Sequence, residues 1–184
     1  MIKIMLKFYF LILALNFKLR MFILGFENAN IFLSKIDKRA VQTILKKNGA
    51  IIGKETDIES GITFHNCKNQ YSNLIVGNDC HIGKNTFIDL SEKIVIGDNV
   101  TISMTSKIIT HQDFGKSNLK EKYKLQKKPV FIGANCYLGI NSTVLMGVKL
   151  GESCLVAAGS VVTRSFPQKS LIAGVPARLQ KKLD

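Results

Sequence analysis

Residues 132–162 read "IGANCYLGINSTVLMGVKLGESCLVAAGSVV", with aliphatic side chains at Ile132, Leu138, Val144, Leu150, Val156 and Val162, six apart without a slip. Four residues after each of the first five comes a small or β-branched one: Cys136, Ser142, Val148, Cys154 and Ser160. Upstream, Ile96, Ile102 and Ile108 keep the beat, as do Val76, Ile82 and Ile88; Ile52, Ile58 and Phe64 form a weaker early set. The small column continues through Cys80, Thr86, Val100 and Ser106, and glycine often follows the aliphatic, as at Gly77, Gly97, Gly133 and Gly139.

A period of six is neither the 3.6 of a helix nor the 2 of a simple strand ladder. It fits a coil of triangular cross-section, with one short strand per side, one inward aliphatic per strand and a turn at each corner. Eighteen residues then make a rung, the signature of a hexapeptide-repeat parallel β-helix. Glycine after the aliphatic is expected to relieve the backbone where it bends. Three of the four cysteines, Cys80, Cys136 and Cys154, stand in the small column and read as buried filler in a reducing compartment; Cys67 falls outside both columns. No CxxC occurs, and neither a disulfide framework nor a zinc site is indicated.

The beat fails at length only once. After Ile108 the next in-phase aliphatic is Ile132, and the gap opens with "SKIITHQDFGKS", residues 106–117. Six lysines crowd residues 116–128 inside it, read as a solvated loop.

The chain has 184 residues, is 46% hydrophobic and carries a formal charge of +13. That length buries a single core, and the charge implies anionic company: nucleic acid, an acidic membrane surface or phosphorylated small molecules. No aromatic-interleaved basic strip supports nucleic acid, which is therefore not expected. Ten of the 26 Lys and Arg lie in residues 1–54. The N-terminal run "KFYFLILALNFKLRMFILGF", residues 7–26, is interrupted by Asn16, Lys18 and Arg20 and lacks a small-residue cleavage site. Residues 1–50 are expected to be helical, packing on the body or touching a membrane peripherally through residues 1–26 rather than spanning it.

The segment "PVFIGANCYLGINSTVLMGVKLGESCLVAAGSVVTRSFPQKSLIAGVPARLQKKL", residues 129–183, resembles the left-handed β-helix acyltransferases of the hexapeptide-repeat superfamily. "AAGSVVTRSFP" and "AGVPAR" are similar to the maltose, galactoside and surface-polysaccharide O-acetyltransferases; Tyr137 stands where that branch usually has Trp. The likeness covers about residues 72–184 and leaves the first 50 unexplained. It implies an all-β fold: a left-handed parallel β-helix over 51–176, an extruded loop at 112–129, an N-terminal helical segment and a short C-terminal helix over 177–184. It also implies a homotrimer, acetyl-CoA as cosubstrate with no metal, and a cytoplasmic enzyme, peripheral at the inner face of the membrane if residues 1–26 touch it.

The resemblance further assigns residues. His111, at the base of the loop, is the expected general base, since imidazole titrates near neutrality and an alcohol attacks a thioester only as it loses its proton. Transfer would be direct, in a ternary complex, with backbone N–H groups meeting the oxyanion. Ile140 matches a position whose amide lies near the thioester. Ala158 and Thr163 match the pantetheine channel, and Arg164, Arg178 and Lys181 the phosphates, which guanidinium forks suit. Asp89 in "FIDLSEK" matches an acceptor-binding carboxylate. From the residues alone each has a plainer reading: a loop-edge histidine, a turn aspartate, a solvated basic tail. Asp113 is a candidate to orient the imidazole, although a solvent-facing aspartate is the simpler reading. His65, His81 and His111 are too spread in sequence to suggest zinc.

The activity these expectations describe is acetylation of a sugar hydroxyl, in surface-polysaccharide biosynthesis. The alternatives on the same scaffold are N-acetylation of an amino-sugar nucleotide and O-acetylation of serine; a non-catalytic basic binding module is the distant one.

Overall fold

A computed structural model describes residues 2–184, with side chains from residue 5 onward except residue 7. From residue 51 the chain winds as a parallel β-helix with three faces. The first stacks Ile51–Ile52, Leu74–Val76, Ile94–Ile96, Val130–Ile132 and Lys149–Leu150. The second stacks Asp57–Ile58, His81–Ile82, Thr101–Ile102, Tyr137–Leu138, Leu155–Val156 and Ser170–Gly174. The third stacks Thr63–His65, Phe87–Asp89, Lys107–Ile108, Thr143–Val144 and Val161–Val162. Pairing between rungs is parallel throughout.

Every aliphatic of the six-residue column points inward, none more than 8% exposed, and every member of the small column is buried. The small column also has a polar duty. The thiols of Cys80, Cys136 and Cys154 donate to the carbonyls of Gly97, Gly151 and Pro167 at 3.0, 3.1 and 3.2 Å, one rung further on. The hydroxyl of Ser106 donates to the Gly139 carbonyl at 3.2 Å. Cys, Ser and Thr suit this column because they are small enough for the corner and can satisfy an otherwise orphaned carbonyl.

The corner glycines have a different role from the one expected. Gly133 and Gly139 do not have positive φ; a Cβ on either would come within 2.7 Å of Glu152 N and 2.6 Å of Ala158 N respectively. Close stacking of consecutive corners excludes a side chain there. The bend is made two residues later, by Asp79, Asn85, Asn99, Asn135 and Asn141 at φ 53 to 60. Asn and Asp adopt that left-handed conformation more readily than other non-glycine residues.

Rung length is uneven. Along the first face Ile51 pairs with Ile75, Ile75 with Val95, Val95 with Phe131 and Phe131 with Lys149, intervals of 24, 20, 36 and 18 residues. All the excess leaves the coil at one corner, between the third face and the next first face. The longest excursion starts as an antiparallel arm in which His111 and Gln112 pair with Lys127 and Gln126, with a short helix at Leu119–Lys122. Its six lysines are exposed, as the solvated-loop reading requires.

Both ends of the prism are covered, which removes open strand edges. At the start sit α1 (Ile2–Leu24), α2 (Phe26–Leu33) and α3 (Lys38–Lys47). Helix α3 begins at Asp37, whose carboxylate accepts from the Arg39 amide at 2.9 Å, and buries Ala40, Val41, Ile44 and Leu45 on one side. Asn30 of α2 donates to the Phe64 carbonyl at 2.6 Å, and Gln42 of α3 to the Thr56 carbonyl at 2.6 Å, closing first-rung acceptors. Cys67 lies in the first excursion, buried beneath this unit; burial, then Glu27 and Asp89, push its thiol up to about 12.

At the far end the expectation of a C-terminal helix is corrected. Ala177–Lys182 is a strand, antiparallel to Ser170–Gly174, with Ala173 opposite Arg178 and Ser170 opposite Lys182. Arg178–Lys182 is exposed on all sides, so a helix there would have no apolar stripe to bury, whereas pairing satisfies the last open edge.

Candidate active site

The corner that sheds every excursion also gathers the titratable side chains. His65, Asp89 and Ile109 are successive residues of this corner, each one past the inward residue of the third face, and His111 follows two residues on. Asp89 is fully buried. Its Oδ2 accepts from the Thr110 amide at 2.8 Å and the Thr110 hydroxyl at 2.9 Å, and lies 2.6 Å from His111 Nδ1. Its Oδ1 accepts from Asn66 Nδ2 at 3.2 Å and from the Ser91 amide and hydroxyl at 3.2 and 3.0 Å. Burial alone would push this carboxyl up. The hydrogen bonds from His111, from the Thr110 amide and hydroxyl, and from Asn66 outweigh it and draw it down to about 2.

An ionised carboxylate only accepts, so His111 Nδ1 carries a proton and, in the neutral ring, Nε2 presents a lone pair. The His111 side chain is 23% exposed and opens onto a cleft of about 290 Å³ lined by Asn66, Lys68, Ser91, His111, Asp113, Leu125 and Lys127. The His65 ring lies 6.1 Å from the His111 ring. An imidazole held through one nitrogen at the wall of a polar cleft can take a proton from an incoming hydroxyl on the other.

The structure alters one site expectation and keeps the simpler reading of Asp113, which is exposed. Asp89 cannot bind an acceptor directly, because it is sealed from solvent and both oxygens are already occupied; it holds His111 instead. Asp113 does not orient the imidazole, since its Oδ1 accepts from the Gly115 amide at 2.9 Å in the arm. His65 and His111 are far apart in sequence, yet the coil brings their ring centroids to 6.1 Å. His81 remains apart, on the second face, 3.5 Å from Asp57. Among the described residues no group of three metal-ligating side chains is gathered.

The residues matched to the cofactor do not converge on His111 within one chain. Ile140 and Ala158 occupy the corner between the second and third faces, on consecutive rungs, with the Gly159 amide donating to the Ile140 carbonyl at 2.9 Å. Ile140 also lines a cleft of about 500 Å³ with His81, Thr101, Ser103, Met104 and Tyr137. Thr163 and Arg164 are exposed at the His111 corner two rungs beyond it, the Arg164 guanidinium 5.4 Å from the Phe166 ring centroid. Arg178 and Lys181 sit on the terminal strand beside the second face.

Residues missed from sequence are Asn66, Lys68, Ser91, Thr110 and Lys127. The available signal was positional: His65 and Asp89 both stand one past the third aliphatic of a rung.

The hexapeptide repeat of succinyl-transferase matches residues 73–105 and 129–164. The chain is 26% identical over 163 residues to galactoside O-acetyltransferase of Escherichia coli K12, covering 82% of this chain and 71% of that one. It is 40% identical over 114 residues to Protein CapG of Staphylococcus aureus, covering 59% of this chain and 66% of CapG. Among solved structures, a galactoside acetyltransferase in complex with coenzyme A superposes with a TM-score of 0.64 at 25% identity, over 79% of this chain and 71% of that one. Repeat, fold and relatives agree: this chain belongs to the hexapeptide-repeat acyltransferase superfamily.

Proposed function

We propose that the protein transfers an acetyl group from acetyl-CoA to a sugar hydroxyl, in the assembly of a surface polysaccharide, with His111 as general base. The observation that carries this reading is the buried, fully hydrogen-bonded Asp89 fixing Nδ1 of His111, a residue that lines a cleft, which leaves Nε2 as the ring nitrogen not engaged by Asp89. The likeness to a galactoside O-acetyltransferase supports the acceptor class, and that of the coenzyme A complex supports the donor.

In this reading the acceptor O–H gives its proton to His111 Nε2 as its oxygen attacks the thioester carbonyl. Asp89 steadies the imidazolium that forms, and fixed backbone N–H groups meet the oxyanion. Collapse of the tetrahedral intermediate breaks the C–S bond, and Nε2 returns the proton to sulfur, releasing the ester and free coenzyme A thiol. Asp89 is a positioning residue.

The distribution of the matched residues over two corners supports a homotrimer. The thioester then sits between coils, with His111 of one subunit facing the Ile140–Ala158 corner of the next. The whole reaction would take place in the cytoplasm.

The test is release of free thiol from acetyl-CoA over a panel of mono- and oligosaccharides, with product acetyl groups challenged by hydroxylamine. Hydroxylamine-labile acetate on a sugar is expected; a stable acetyl would instead mark an amide and move the acceptor to an amino sugar. Undiminished turnover by His111→Ala would remove the base assignment, and a monomeric mass in solution would remove the intersubunit site.

A further inference from the structure

Helix α1 is apolar on two opposite sides, and only one of them is buried. Phe10, Leu13, Ala14, Phe17 and Met21 pack against the rest of the protein. On the far side Phe8, Leu11, Ile12, Leu15, Leu19 and Phe22 are 48–88% exposed. At about 100° per residue these six fall within an arc of about 100°, and from Phe8 to Phe22 they run about 21 Å along the axis. An isolated exposed leucine is ordinary, but a continuous stripe of six large side chains on a soluble face is not.

The borders of the stripe are polar. Lys18 flanks one edge, Asn16 and Arg20 the other. Arg20 bonds to the neutral amide oxygens of Asn16 at 2.7 Å and Asn28 at 3.1 Å and lies 4.8 Å from the Phe32 ring centroid, so among the described residues no carboxylate neutralises it. The sequence holds no acidic residue before Glu27, and the chain as a whole carries +13. Among the described residues no helix is long and apolar enough to cross a membrane.

We propose that this face of α1 lies in the plane of an anionic bilayer, with Phe8, Leu11, Leu15, Leu19 and Phe22 in the boundary between headgroups and acyl chains. Lys18 and Arg20 meet the phosphates. An apolar stripe edged by cations, on a helix that lies along a surface, has the chemistry of an interfacial anchor. A second copy of the chain fits less well, because the charged residues edging its own stripe are also cations and offer no counter-charge. The proposal concerns the helical unit alone and does not depend on acyl transfer.

The full chain is sedimented with vesicles of phosphatidylcholine alone and of phosphatidylcholine mixed with phosphatidylglycerol. Binding is expected to the mixed vesicles, weaker to the neutral ones, and weakened by added salt. Leu15→Glu with Phe22→Glu is expected to lower partitioning about tenfold or more, since two apolar side chains no longer enter the bilayer. Both residues are exposed, so the far-UV circular dichroism and melting temperature should not change. The proposal is overturned if the wild-type chain stays in the supernatant with anionic vesicles, or if the folded double variant partitions as wild type does. It is equally overturned if the double substitution dissociates an oligomer that itself shows no vesicle binding, which would make the stripe a subunit contact.

Discussion

Asp89 Oδ2 and His111 Nδ1 lie 2.6 Å apart, the carboxylate completely buried and the imidazole at the wall of a cleft. Twenty-two residues separate them in sequence, and the parallel stacking of two rungs joins them. His111→Ala should lower turnover of acetyl-CoA with a sugar acceptor by about 10²–10⁴, the range general-base groups supply. Steady-state thiol release measures it.

Asp89→Asn should act on the same reaction indirectly. The amide places an N–H₂ among donors from Asn66, Ser91, Thr110 and His111, so the ring loses its fixed tautomer. A fall in kcat of about one to four orders of magnitude with little change in KM for acetyl-CoA is expected. A bell-shaped pH profile that shifts in the variant would separate positioning from simple loss of fold.

Acid should expose the same carboxylate. Its folded value, about 2, lies below the ordinary 3.8, so the folded state binds this proton more weakly than the unfolded state does. The stabilisation is fully present above pH 4 and is lost as pH falls through about 4 to 2. It amounts to on the order of 2 kcal/mol. Urea unfolding at pH 5, 4 and 3 should show the loss in wild type and a flatter profile in Asp89→Asn.

The two kinds of corner residue should respond unequally to substitution. Gly133→Ala places a methyl 2.7 Å from Glu152 N and should cost about 1–3 kcal/mol, read as a fall of several degrees in Tm. Asn135→Gly, at φ 60, relieves backbone strain and should change stability by well under about 1 kcal/mol. Equal losses at both positions would contradict the stacking account of the glycines.

Replacing residues 114–124 with a short glycine–serine link should leave Tm nearly unchanged, because the helix at Leu119–Lys122 buries nothing. The replaced span joins Asp113 to Leu125 and Lys127, which line the cleft, so its loss frees them from their fixed places. The KM for the acceptor is expected to rise while that for acetyl-CoA stays near wild type.

The six-residue inward column was legible from Ile52 to Val162, because each strand is short and its inward position is set by local alternation and the next turn; Leu74, Ile94 and Val130, also buried on the first face, lie outside that column. The place of His111 at the mouth of the longest excursion was legible through the break in the beat. The role of Asp89 was not, since burial and hydrogen-bond partners depend on what the rungs above and below supply. The C-terminal strand was not legible, because a basic pentapeptide has no strand signal of its own; the open edge beside it decides its conformation.

By itself, then, the sequence determined the six-residue inward column and the longest opening of the coil, since both follow from a spacing of six that is local in the chain. Only the tertiary structure decided that His65, Asp89 and His111 share one corner. Their meeting depends on excursions that stretch the rungs to intervals of 24, 20 and 36 residues, and on parallel pairing that holds the register across them. A non-local stacking distance, not a pattern along the chain, brings the carboxylate to the imidazole.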